Sequence, residues 1–344
     1  MEALWFAILA AMLTAWVVLD GFDFGAGIVQ GIVAKTPKER AVILGAIGPV
    51  WDGNEVWLVA AGGVFVFAFP HAYAVAMSGM YLPLVMVLWL LVLRGVSIEL
   101  RGQVPNPLWQ EGWDRVFSIS STAMALVTGV ALGNVVRGVP IDDSGWFELD
   151  LFSLRADRAG ALDAYTALLG GFAVVVLAAH GAVYLAWKTE GELRSRCVVT
   201  AQWTWLAVVV LFVAATAATA LARPDMVRTF VARPWLWPLP WIAAAMPQTV
   251  RMAIARARDG LAFVASGTFI AALLIATAGV LYPTLLFSTL GRSFDIDARG
   301  AASGGRGLEL ALAWWLPAMA LAVAYFINLF RSVQGKVRLG DSHH

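Results

Sequence analysis

Nine stretches of this 344-residue chain are apolar for long enough to cross a lipid bilayer: near 3–33, 42–69, 73–98, 116–136, 162–187, 201–222, 235–255, 261–287 and 308–331. About 20 apolar residues span the hydrocarbon core as a helix. Inside lipid only helices and closed barrels satisfy their own backbone groups. The pattern therefore predicts an all-α polytopic membrane protein, a bundle of about nine transmembrane helices forming one integral membrane domain over 1–344. Charged residues make up 14% of the chain, against roughly 25% in soluble domains, which agrees. Residues 3–19 lack a positive leading region and read as the start of the first helix, not a signal peptide.

The longest connections, about 138–160 and 288–307, are rich in Gly, Asp and Ser and read as surface loops. With no basic run interleaved with aromatics, a nucleic-acid partner is not expected. The single cysteine, Cys197, excludes a disulfide framework and CxxC or CxxCH sites. It reads as an unreactive thiol near the cytoplasmic interface. His343 and His344 end the chain and read as a tail or tag remnant, which leaves His71 and His180.

Nine crossings put the termini on opposite faces. The loops after the first, third, fifth and seventh helices, together with the C-terminus through Arg338, collect fifteen of the 24 Lys and Arg. The positive-inside rule then predicts an external N-terminus and a cytoplasmic C-terminus.

Residues 48–58 read GPVWDGNEVWL inside the second apolar stretch. A charge at mid-bilayer costs from about 2.5 to more than 10 kcal/mol, so Asp52 and Glu55 need a reason. TPKE at 36–39 is a capping box with Pro at the first helical position, which places the turn between the first two helices near residue 36. Asp20, in DGFDFGAG, lies sixteen residues before that turn and Asp52 sixteen after it. In an antiparallel hairpin they share a depth of roughly 24 Å of helix, which the Gly48-Pro49 kink shortens. Asp20 with Asp23, and Asp52 with Glu55, are i, i+3 pairs on one helix face.

Buried carboxyls with no fixed cationic partner can take up and release protons near neutral pH, as a proton relay requires. The bland alternative is neutral, hydrogen-bonded glue between helices. Matched depth favours the relay for Asp20 and Asp52; Asp23 and Glu55 are secondary candidates. Gly21, Gly25, Gly27 and Gly31 form two interleaved GxxxG steps and read as close helix packing, as do Gly62-Gly63 and Gly170-Gly171. His180 reads as a satisfied hydrogen-bonder more readily than as a haem or metal ligand, and no metal site is expected. Trp51 and Trp57 flank the acidic cluster. Arg94, Glu99 and Arg101 read as interfacial anchors.

Taken together, DGFDFGAG (20–27), PVWDGNEVWL–AGG (49–63), FPHAY (69–73), RGVSIELR (94–101), ALGNVVRGVP (131–140), HGAVYL–KTEGEL (180–193) and TAGVLYP (277–283) resemble subunit II of the cytochrome bd-type quinol oxidases. The resemblance implies a haem-free subunit, pseudo-symmetric to a larger partner that holds two b-type haems and one d-type haem. It implies a heterodimer in the bacterial cytoplasmic (inner) membrane that oxidises quinol and reduces oxygen to water. Lipid and small single-helix accessory subunits are further possible partners. Asp20 and Asp52 match the acidic positions of that family's cytoplasmic proton route, and Trp57 a position lining an oxygen passage. The competing expectation is a proton-coupled secondary transporter, against which nine spans divide poorly into repeats.

Overall fold

The computed structural model describes residues 1–152 and 160–337; Arg338, His343 and His344 lie outside the described residues. Among the described residues there are twelve α-helices: α1 Glu2–Val33, α2 Pro37–Ile47, α3 Trp51–Ala68, α4 Pro70–Gly79, α5 Tyr81–Arg101, α6 Pro107–Arg137, α7 Ala164–Lys188, α8 Gly191–Ala222, α9 Pro224–Val231, α10 Pro238–Ala255, α11 Asp259–Leu281 and α12 Gly305–Ser332.

Helix starts follow local chemistry. Proline opens α2, α4, α6, α9 and α10, where its missing N–H costs nothing. Thr36 and Glu39 form the predicted capping box of α2. Asn106 caps α6 by accepting from the amides of Leu108 and Trp109, and Asp163 caps α7 through a second box with Thr166.

Among the described residues, α1, α5, α6, α7, α8, α11 and α12 are each long and apolar enough to cross a membrane. The second predicted span is two helices, because the chain breaks at Gly48–Val50 between α2 and α3. The third is also divided: α4 precedes α5, which runs on to Arg101, beyond the predicted end at 98. α10, within the seventh predicted span, contains Pro247 and Arg251 and is not among those seven.

α1 is the central helix, packed against α3, α6, α7 and α11. Its second half joins α2, α7, α8 and α11 in the larger core, with Phe22, Ile43, Tyr184 and Phe269 wholly buried. Its first half, from Trp5 to Met12, joins α4 in a smaller core at the N-terminal face. There the described parts of the two long connections are not loose surface loops. Strands β1 (Thr284–Leu286) and β2 (Ile296–Asp297) pair antiparallel, with Thr284 opposite Asp297, and Val139 bridges to Ser288. Phe147 from the first connection packs onto Gly79 of α4, where a Cβ would fall 2.4 Å from its ring.

The opposite face, which carries the C-terminus, is pinned by ion pairs. Arg101 donates to Asp114 at 2.6 Å, Arg40 reaches the same carboxylate at 3.4 Å, Arg194 pairs with Asp259 at 2.8 Å, and Arg196 pairs with Glu39. Lys188 donates to the Val333 carbonyl at 2.7 Å, tying the end of α12 to α7.

Candidate functional site

Asp20 lies in the second half of α1, two turns before Gly27. Its Oδ2 accepts from Trp16 Nε1 at 2.9 Å, one helical turn back. Its Oδ1 accepts from Arg94 Nη1 at 2.6 Å, and neither side chain is exposed at all. Arg94 belongs to α5 and also pairs, through Nη2, with Glu55 of α3. The Phe24 ring lies 4.2 Å from the guanidinium carbon, a cation–π contact that completes the enclosure. One fixed cation thus ties α1, α3 and α5 together.

Asp23 sits one turn from Asp20 and accepts from Asn54 Nδ2 at 2.8 Å. Its other oxygen, the Asn54 oxygen and Arg94 Nε are buried without a hydrogen-bond partner. Three carboxyls therefore surround one guanidinium. With all three ionised the cluster carries two excess negative charges, which an apolar interior strongly disfavours. Protons are the natural means of balancing it.

Asp52 is placed differently. It falls in the first turn of α3, just after the Gly48–Val50 break, and its Oδ1 accepts from the Gly53 amide at 2.7 Å. Its side chain lies on the exposed side of α3. It does not meet Asp20; Glu55, one turn further on, does so through Arg94. Trp57 bridges the two cores and lies 5.5 Å from the Phe326 ring of α12.

Arg94 corrects the sequence reading in two ways. It is a buried partner and not an interfacial anchor, and it supplies the fixed cation that the carboxyls were expected to lack. Its occurrence in RGVSIELR, beside Gly95 which packs on Trp51, was the available signal. Asn54, the other missed member, stood in plain view within WDGNE.

His180 is wholly buried and both ring nitrogens are engaged, with Ser266 Oγ at 2.6 Å and the Val18 carbonyl at 3.0 Å. An iron ligand needs a free ring nitrogen, so this residue does not fit a haem. His71 is exposed at the start of α4. Among the described residues no group of three or more His, Cys, Asp or Glu is arranged to hold a metal ion. The glycine reading divides. Gly25 meets Gly181 of α7 and Gly170 meets α6, but Gly62 and Gly63 face open space.

A family model for cytochrome bd terminal oxidase subunit II matches residues 1–333. Cytochrome bd ubiquinol oxidase subunit 2 of Bacillus subtilis is 32% identical over 309 residues, covering 89% of this chain and 88% of that protein. Cytochrome bd-I ubiquinol oxidase subunit 2 of Escherichia coli K12 is 29% identical over 316 residues, covering 83% and 82%. Among solved structures, a chain of the bd oxidase from Geobacillus thermodenitrificans superposes with a TM-score of 0.74 at 18% identity, covering 96% of this chain and 98% of that one. At that identity the likeness concerns the fold.

Proposed function

Because this chain belongs to the cytochrome bd terminal oxidase subunit II family, we propose that it is the haem-free subunit of a respiratory quinol:oxygen oxidoreductase, stabilising the haem-bearing subunit and carrying part of the cytoplasmic proton route. The family is a subunit of the cytochrome bd quinol oxidase, an oxidoreductase complex, and an integral protein of the bacterial inner membrane. Haems in the partner would supply electron transfer from quinol to oxygen; this chain's own residues would hold and pass protons.

The observation that carries the proton role is the Asp20–Arg94–Glu55 cluster with Asp23 beside it. Asp52 stands at its edge, one turn from Glu55, and forms the outermost acid of the group. Of the fifteen basic residues assigned to the C-terminal face, the fourteen other than the buried Arg94 support placing that face in the cytoplasm. A proton would pass from Asp52 to Glu55 and on to the Asp20 carboxylate, while Arg94 stays charged throughout.

The stabilising role rests on α3. Asp52, Val56, Val59 and Gly63 recur at helical spacing on one exposed stripe. A carboxylate and a bare glycine facing lipid are poorly placed; facing the larger subunit, they would be covered and allow close helix approach. No observation favours the transporter reading over the family's activity.

The test is Asp20→Asn and Asp52→Asn in the two-subunit oxidase. A relay predicts oxygen reduction slowed about tenfold or more at normal haem content. Unchanged turnover, or loss of assembly alone, would reduce the chain to an anchor.

A further inference from the structure

A second line of polar groups leaves Asp23 in the other direction, along the contact between α1 and α6. Asp23, Gly27 and Gln30 recur at i, i+4, i+7 and so share one face of α1. The facing wall is α6. Ser121, wholly buried, sits against Gly27, where a Cβ would fall 2.2 Å from its Oγ. Gln30, 1% exposed, donates from Nε2 to the Asp114 carbonyl at 3.4 Å.

Four side-chain oxygens here are buried without a hydrogen-bond partner: Gln30 Oε1, Ser121 Oγ, Asp23 Oδ1 and Asn54 Oδ1. Each such group costs about 1–3 kcal/mol if left unpaired, and interiors satisfy them with ordered water. Seven residues of helix separate Asp23 from Gln30, roughly 10 Å. The Ser121 hydroxyl with about two waters would bridge that distance at about 2.8 Å per link. Glycine at position 27 is what lets the Ser121 hydroxyl come up against α1, since a Cβ there would fall 2.2 Å from its Oγ. At the far end Asp114, 4% exposed, is held between Arg101 and Arg40, and Arg40 is 28% exposed.

We propose that the α1–α6 seam holds a file of internal waters conducting protons from the C-terminal face, past Arg40 and Asp114, along Gln30 and Ser121 to Asp23, as a branch separate from Asp52. This rests on the proton-route reading above and adds residues outside the acidic motifs. At each step an oxygen accepts one proton and releases another to its neighbour, so no atom is gained or lost. The last proton converts the Asp23 carboxylate to the acid. Ser121 both accepts and donates. Gln30 only accepts at its carbonyl oxygen, so it is a positioning residue that holds a water in register.

The experiment compares Ser121→Ala, Gln30→Leu and Asp20→Asn in the purified two-subunit oxidase, following proton uptake during oxygen reduction by the reduced enzyme. The seam predicts several-fold slower uptake in Ser121→Ala and Gln30→Leu, with haem content and the KM for quinol unchanged. Native uptake in both, with Asp20→Asn slow, overturns the seam and leaves the route reading standing. Native uptake in all three overturns both. Should Gln30→Leu fail to assemble, Ser121→Ala decides, because it deletes a single oxygen. Hydroxyl-radical footprinting of the native oxidase gives an independent readout. Phe117, whose ring tip lies 3.1 Å from the Cβ position of Gly27, is labelled promptly if water lies beside it. Absence of that label overturns the file.

Discussion

Gly25 and Gly181 lie back to back where α1 crosses α7. A Cβ on Gly25 would come within 2.6 Å of the Gly181 amide nitrogen and 2.0 Å of the Leu177 carbonyl oxygen. Both obstacles are backbone and cannot rotate away, so the two helices meet at the closest approach that peptide chemistry permits.

Gly25→Ala should therefore separate α1 from α7 and cost at least about 3 kcal/mol, at the upper end for overpacking. Gly31→Ala, with nothing within 4 Å of its Cβ position, should be close to neutral. Thermal denaturation of the detergent-solubilised complex distinguishes them; equal midpoints would contradict the packing argument.

Arg94→Met should be far more damaging than Asp20→Asn. Removing the guanidinium leaves the buried carboxyl of Asp20 and the half-buried one of Glu55 without their partner, and breaking a buried pair such as Arg94–Asp20 costs about 3–5 kcal/mol. The expected result is loss of assembled complex on a sizing column for Arg94→Met and retention for Asp20→Asn.

His180→Ala should leave the haem spectrum of the complex unaltered while lowering its thermal midpoint. The ring bridges α1 and α11 through Val18 and Ser266, and the hydrogen bonds lost are worth about 1–3 kcal/mol. A changed visible spectrum at full assembly would contradict the bridging role.

Asp225 gives a pH dependence outside the membrane. Arg223 donates to both carboxylate oxygens, at 2.9 and 2.8 Å, and holds the carboxyl below its ordinary value. Its folded value is lower than its unfolded one, near 3.9. The contribution is therefore full above about pH 4 and is lost as pH falls through the folded value. Asp225 is 31% exposed, so the effect is modest, within about 1 kcal/mol. The midpoint gap between wild type and Asp225→Asn should be present near neutrality and close in acid; a gap that widened in acid would reverse the sign.

What the sequence discloses about this fold depends on range. The start of α2 and the break after Ile47 follow from TPKE and Gly48-Pro49, because caps and proline act over a few residues. Asp20 and Asp52 announced themselves as charges in apolar surroundings. Arg94 did not: at the end of an apolar stretch an arginine looks like an anchor. Only the continuation of α5 to Arg101 puts it two turns inside the helix, and its partner Asp20 lies 74 positions away. The pairing of β1 with β2, and the bridge from Val139 to Ser288, are likewise long-range, so the connections read as open loops. Ser121 and Gln30 are ordinary residues in helical stretches, and only the packing of α6 on α1 at Gly27 sets them along one seam.

A guanidinium does not release its proton under biological conditions, which fixes the role of Arg94 in an electrical sense. The charge at that point of the membrane changes only through the carboxyls around it, in steps of one elementary charge. On the proposed proton role, each step would take place inside the transmembrane field, where a full crossing is worth about 2.3 kcal/mol per 100 mV. Loading the cluster would then be coupled to the membrane potential in proportion to its depth. The voltage across the membrane would bias how often Asp20, Asp23 and Glu55 are filled, even at constant pH on either side.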